Sequence, residues 1–284
     1  MSGPDVVNVL IIRIFLWLMC IVSLQVYGDT PKTIIYSSAA TVSKELIRHE
    51  MKPVSSHLAS TGQSMTMVFP KDVGEFFLWA KLGKFDFVVA SPDHSYVLKK
   101  YFNYLSIMES VEMVSYLLAS NLSGGSTSKQ YKKALVKKND LLSPYFVNKL
   151  ISTKNVEYHQ NLENLLISLI KQPNAVSVID GDDAFLLPPS LREKIKLGKK
   201  TAYGRLMVMC RPSRSVDCLE LKRELLAFTS SWSDPEWVYT FLNLYHFREC
   251  CEKQLMMERP LTNYLDRIMT ERFSHLIDTP LTVN

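Results

Sequence analysis

Several patterns are missing from this chain, and each absence removes a class of function. Its five cysteines include no CxxC pair and no histidine cluster stands beside them, so no zinc site or other metal is expected. Its ten glycines form no phosphate-binding loop and no nucleophile motif accompanies them, which leaves an enzyme without machinery; no cofactor is expected. There is no long basic block either. The net charge is +5, and the patches Lys132-Lys133, Lys137-Lys138 and Lys194–Lys200 alternate with apolar residues as solvated faces do, so no nucleic-acid partner is expected. The N-terminal apolar run, Ile14 to Leu24, has eleven residues, the length of a signal-peptide core and short for a membrane span. Val26 and Gly28 suit the −3 and −1 positions of a cleavage site, with Asp29 as the new N-terminus. An uncleaved anchor is the alternative, because Asp5 weakens the basic n-region and apolar residues begin at Val6. Cys20, preceded by Trp17, Leu18 and Met19, does not make a lipoprotein signal.

What is present is a globular composition, 47% hydrophobic and 21% charged, sufficient for one large or two modest domains. The stretch Val68 to Tyr96 organises it. Asp72 and Glu75 have capping-box spacing, and Phe76, Phe77 and Ala80, with Trp79 alongside, supply the buried stripe of a short helix. Gly83-Lys84 stops that helix, Phe85–Ala90 is a strand and Ser91-Pro92 ends it. The arrangement returns about ninety residues on. Asn161–Lys171 is a helix with Leu162, Leu165, Leu166, Leu169 and Ile170 on one side, Ala175–Ile179 a buried strand, and Asp180-Gly181-Asp182-Asp183 the loop beyond.

Further strands are expected at Thr33–Tyr36, Met65–Phe69, Leu105–Ala119, Tyr131–Val136, Val156–His159 and Tyr203–Cys210. Strands Thr33–Tyr36, Met65–Phe69 and Phe85–Ala90 should share one sheet, and Val156–His159 with Ala175–Ile179 another. Ser143-Pro144 reads as N-cap and N1 of a helix, and Asn121–Ser128 as a surface loop. The C-terminal third reads as helical, with Asp217–Ser230 one helix and a second from Asp234-Pro235 carrying Trp237, Phe241, Leu244 and Phe247 in the core. The four cysteines after Cys20 permit disulfides in an exported chain, for instance Cys210 with Cys218, while Cys250 and Cys251 suit packing on a helix.

The segment G-K-F-D-F-V-V-A-S-P-D-H-S-Y-V-L resembles the signature of phosphate/phosphonate-type periplasmic substrate-binding proteins, and the order of elements follows that family from Thr33 to Ser231. The resemblance implies an α/β fold of the two-lobed type 2 periplasmic-binding-protein kind, two mixed sheets flanked by helices with a cleft between lobes. Residues 1–28 would be the signal peptide or anchor, 29–111 lobe 1, 112–206 lobe 2, and 207–284 a return strand with C-terminal helices packing back towards lobe 1. It places Tyr96, His159 and Asp180 at the ligand, with Ser143 at a second-lobe helix N-terminus and Ser37, Ser38 and Ser91 in the matching first-lobe loops. Where the family loop carries anion-binding hydroxyls, this chain reads N-D-L-L-S-P. Leu141 and Leu142 offer none, and Asp140 would repel a phosphonate by about 4 kcal/mol for unit charges near 4 Å at an effective dielectric of about 20.

The resulting expectation is a monomeric, periplasmic solute-binding protein serving an inner-membrane ABC permease, with a small polar or anionic ligand. One alternative is a sensory or interaction module signalling to a membrane sensor partner. A second, an enzyme using His159 and Asp180 as acid and base, has no supporting motif.

Overall fold

The computed structural model describes residues 32–35, 48, 51–62, 66–121, 131–138, 140–151, 153, 155–181, 184, 187–212, 217–231, 247–250 and 257–277. The signal or anchor segment, Ser37, Ser38, most of the Asn121–Ser128 loop, Cys251 and the stretch from Asp234 to Leu244 lie outside the described residues.

The first αβ unit contains β1 (Lys32–Ile35), α1 (Lys52–Ser60), β2 (Thr66–Val68), α2 (Val73–Lys81) and β3 (Phe87–Ala90), with β1 parallel to and between β2 and β3. Helix α2 begins as its sequence dictates. The Asp72 carboxylate accepts the Glu75 amide at 2.9 Å, while Glu75 reaches back to the Lys71 amide. It ends at Gly83, whose φ of 63° suits a residue without Cβ. The second unit repeats the plan. Here β5 (Lys133–Lys137), α4 (Ser143–Ile151), β6 (Val156–His159), α5 (Leu162–Lys171) and β7 (Ala175–Asp180) place β5 parallel to and between β6 and β7. Asn161 caps α5 by accepting the Asn164 amide at 2.9 Å, and Leu162, Leu165, Leu166 and Leu169 are buried, as their spacing requires. The orders β2-β1-β3 and β6-β5-β7 are the same, so the repeated αβ pattern in the sequence corresponds to a repeated topology.

Two long antiparallel strands lie between these units. β4 (Leu105–Asn121) and β8 (Ile195–Cys210) pair from Leu105 opposite Cys210 to Asn121 opposite Ile195. β8 also takes β3, β4 also takes β7, and a short β9 (Phe247–Glu249) pairs with β4. The expectation of two separate sheets is therefore corrected. The described strands form one nine-stranded mixed sheet, β2-β1-β3-β8-β4-β7-β5-β6 with β9 on β4. Each parallel unit finds a neighbour along the same antiparallel pair, so the hydrogen-bonded path never breaks.

That path has a joint. Between the pairs Glu109–Met207 and Met113–Arg205, residues 110–112 of β4 stand against Leu206 alone. Arg205 fills the irregularity, its Nη1 donating to the Ser110 carbonyl at 2.9 Å and to the Val111 carbonyl. Ser110 Oγ accepts the Leu206 amide at 3.0 Å. The buried Glu109 carboxylate accepts Arg248 Nε and Nη2 at 2.9 and 2.6 Å, which ties β9 to the same place.

Helices α3 (Pro92–Phe102), α6 (Pro189–Arg192), α7 (Cys218–Ser231) and α8 (Arg259–Ile277) complete the described elements. The largest core holds Phe76, Phe77 and Phe85 from the first unit, Tyr116 and Phe146 from the second half of the sheet, and Leu265, Met269 and Phe273 from α8. A second core lies under α1 and α7, and a third under α5. Cys210 and Cys218 form a disulfide with Cα atoms 5.8 Å apart, tying β8 to α7. Phe247 is buried as expected, but in a strand: the Phe247–Glu249 segment adds to β4, and Cys250 follows it with its amide bonded to the Ile107 carbonyl at 3.4 Å, so the helix expected there is replaced by sheet.

Candidate ligand site

The C-terminal ends of β3, β5 and β7 carry the polar residues that the sequence singles out. After β3, the chain turns at Ser91 into α3. The Ser91 hydroxyl bonds the His94 imidazole at Nδ1, Asp93 Oδ1 lies 3.6 Å from the same nitrogen, and Ser95 Oγ donates to the Ser91 carbonyl at 2.8 Å. Ser91, Asp93, His94 and Ser95 are all buried. Gly204 of β8 passes directly over this corner. A Cβ built there would come within 2.5 Å of Pro92 Cβ, so only glycine allows strand and helix start to approach this closely.

After β5, Asp140 controls the entry to α4. Its Oδ1 accepts the Leu142 and Ser143 amides at 2.9 Å each and the Tyr116 hydroxyl at 2.7 Å, while Ser143 donates its hydroxyl to Oδ2. The expected N-cap role of Ser143 is corrected: Ser143 is the first residue of α4, fully buried, and Asp140 does the capping from three residues before. The free amides and the hydroxyl that would cradle an anion are thus already bonded to a carboxylate of the chain itself.

Tyr116, on β4, is the centre of the arrangement. Asp180, the last residue of β7, is its partner in the ladder, and the rings of Tyr203 and Phe146 lie 4.9 and 4.8 Å away. Burial pushes the Tyr116 phenol well above its ordinary pKa, and the carboxylates of Asp140, Asp93 and Asp180 push it the same way. Asp93, Asp140 and Asp180 are all buried, and Asp140 is the one bonded to the phenol. The corner thus gathers three acidic side chains, together with the buried Lys137 that ends β5.

The other expected site residues go elsewhere. Tyr96 lies on α3, and its hydroxyl donates to Asp266 of α8 at 2.9 Å, with Lys100 Nζ and Tyr101 OH reaching the same carboxylate at 2.7 and 2.8 Å. His159 ends β6 with its Nε2 3.1 Å from Glu157, which in turn is held by Lys133 at 2.9 Å. The Lys133 hydrogen bond outweighs burial and holds Glu157 below the ordinary carboxylate range. The structure therefore joins Ser143 and Asp180 through Asp140 and Tyr116, while Asp93 in the Ser91 loop pairs with His94. It directs Tyr96 towards α8.

Sequence reasoning did not single out Tyr116, Asp93 or Asp266. The Asp140-x-x-Ser143 spacing ahead of a helix was a local signal for Asp140 as a cap; for Tyr116, inside a long β-prone run, no local signal exists. Among the described residues no group of three or more metal-ligating side chains is set to hold an ion, and no helix is long and apolar enough to cross a membrane.

The fold defined by these two β-α-β-α-β units and their crossing strands is that of the type 2 periplasmic binding proteins. Its structural neighbours include proteins described as binding phosphonates and arginine. PhnD1 from Prochlorococcus marinus in complex with methylphosphonate superposes with a TM-score of 0.66 at 11% identity, over 84% of this chain and 97% of that one. A binding-protein component of an ABC phosphonate transporter from Pseudomonas aeruginosa gives 0.63 at 14% identity over 83% and 86% of the two chains. XAC2383 from Xanthomonas citri, bound to chloride, gives 0.65 at 14% identity over 86% and 99%. No family model and no curated protein matches the chain.

Proposed function

We propose that this chain is an exported, non-enzymatic solute-binding protein whose ligand sits where the ends of β3, β5 and β7 meet, between a lobe of residues 29–111 and one of 112–206. Of residues 207–284, α8 packs against both lobes, through Phe77 and through Tyr145. The fold supports the binding role, and the buried Asp140 carboxylate at the start of α4 supports the ligand class. The ligand is small and polar, with amine or other donor groups in place of a phosphonate dianion, because the α4 amides are bonded to Asp140. Delivery to an inner-membrane ABC permease from the periplasm is the corresponding biological role.

The test is native mass spectrometry of protein purified without refolding, followed by calorimetry with the retained molecule, with putrescine as a cationic probe and with methylphosphonate. Binding of the retained molecule or putrescine, weakened by Asp180→Asn, supports the reading. Tight binding of methylphosphonate alone would overturn the ligand class.

A second reading, a sensory or interaction module for a membrane partner, is favoured by the way Tyr96, Ser91 and Ser143 all engage groups inside the chain. N-terminal sequencing of the exported protein separates the two. A start at Asp29 fits a free receptor, and retention of the Val6–Val26 segment fits an anchored module.

A further inference from the structure

A second candidate site, lined by cations, adjoins the acidic corner along α4. Helices α4 and α8 face each other across a groove of about 550 Å³, within the range of small-molecule sites, roughly 300–1,000 Å³. Tyr145, Asn148 and Lys149 line it from α4, and Asn263, Tyr264 and Arg267 from α8, spacings of three and four that put each set on one helix face.

The two tyrosine rings meet with centroids 5.2 Å apart. Over them rest the two cations: Lys149 Nζ is 5.8 Å from the Tyr145 ring centroid and Arg267 Cζ 5.3 Å from that of Tyr264. Cation–π attraction holds both charged heads at the groove before any ligand arrives, which lowers the ordering cost of binding. Among the described residues no carboxylate lines the groove. Glu258, 3.2 Å from Lys149, and Glu271, 4.0 Å from Arg267, are outside the lining and highly exposed, so these pairs are weak and exchange readily for a ligand. Asn148 and Asn263 are exposed and can add carboxamide donors from either wall.

We propose that the groove between α4 and α8 binds a small organic dianion that spans Lys149 and Arg267. Two cations on opposite walls ask for two anionic groups or one doubly charged group. The volume is far larger than an inorganic ion needs, so the anion carries a carbon skeleton that the Asn148 and Asn263 carboxamides can address. A dicarboxylate and a phosphate ester share this chemistry. Such a ligand bridges an early helix of the second αβ unit and α8, using none of Asp93, Asp140 and Asp180 as a lining residue.

Titration calorimetry on the purified chain tests this with succinate as the dicarboxylate, glucose 6-phosphate as the phosphate ester and glucose as the neutral control. At least one dianion is expected to bind and glucose not, and which dianion binds identifies the anionic group. Lys149→Gln and Arg267→Gln should each weaken binding at least tenfold, and Asn263→Asp, which adds a negative charge to the wall, should abolish it. Asp180→Asn should leave it unchanged, which separates this site from the acidic corner. All four substitutions are checked for folding by circular dichroism. Absence of heat with both dianions, equal binding of glucose, or full affinity in the Lys149 and Arg267 variants overturns the proposal.

Discussion

Asp140 shows how one side chain can decide what a fold accepts. Its carboxylate serves two amides, a serine hydroxyl and the Tyr116 phenol, all in a buried place. Asp140→Ala leaves those donors without an acceptor, and the expected loss of stability is about 2–4 kcal/mol, combining a lost helix cap with unsatisfied buried groups. Asp140→Asn keeps one acceptor oxygen and should cost less. Urea denaturation measures both, and equal midpoints for wild type and Asp140→Ala would show that the cap carries no weight. Asp266 gives a prediction in pH. Burial disfavours its charge, but hydrogen bonds from Lys100, Tyr101 and Tyr96 outweigh burial and hold its pKa below the ordinary value. The same carboxylate raises Lys100, and burial pushes Tyr101 up to about 12, so both remain donors at neutral pH. Because the folded value is depressed, the stabilisation is present above the unfolded pKa of about 3.9 and lost as pH falls through the folded one. With Lys100 and Asp266 both partly solvated, it amounts to less than about 1 kcal/mol. The difference in stability between wild type and Asp266→Asn should therefore shrink below about pH 4; a difference constant from pH 7 to pH 3 would contradict the assignment.

At the scale of elements, the contact between β8 and the start of α3 rests on Gly204. Gly204→Ala would force its Cβ against Pro92 and should destabilise by about 1–3 kcal/mol, as overpacking does, with a lowered melting temperature as the readout. An unchanged melting temperature would mean that Pro92 moves aside without cost. What was legible in the sequence follows the range of the interactions. The cap at Asp72, the stop at Gly83 and the leucine stripe of α5 are set by residues within four positions of one another, and they stand where the spacing put them, while Asn161, read as the first helical residue, is the N-cap of α5. The repeated αβ plan was legible for the same reason. The single continuous sheet was not, because it depends on β4 and β8 pairing across some ninety residues of chain. Nor was the partner of Tyr96. Its motif suggests a ligand contact, but Asp266 is 170 residues further on and nothing local announces it. The residue chemistry at Asp140 was readable as hostile to anions, whereas its role as the helix's own acceptor needed the coordinates.

The whole molecule is held across its middle by more than the two crossing strands. α8 reaches α2 through the Phe77–Phe273 rings at 5.4 Å and α3 through Asp266, and it reaches α4 through Tyr145–Tyr264 at 5.2 Å and Glu258–Lys149 at 3.2 Å. It is therefore a strap over both αβ units, while the irregularity at residues 110–112 is where β4 and β8 can flex. If the units move about that joint, as the proposed binding role requires, the α4 end of the strap must release before the α2 and α3 end. Tyr264→Ala removes the ring contact with Tyr145, worth about 0.5–1.5 kcal/mol beyond buried area, and leaves Asp266 and Phe273 in place. The expected result is a larger radius of gyration by small-angle scattering, with faster amide exchange in α4 and around residues 109–113 and unchanged protection in α2 and α3. Exchange that rises equally in all of these would indicate general loosening, and scattering identical to the wild type would show that α8 does not limit the opening.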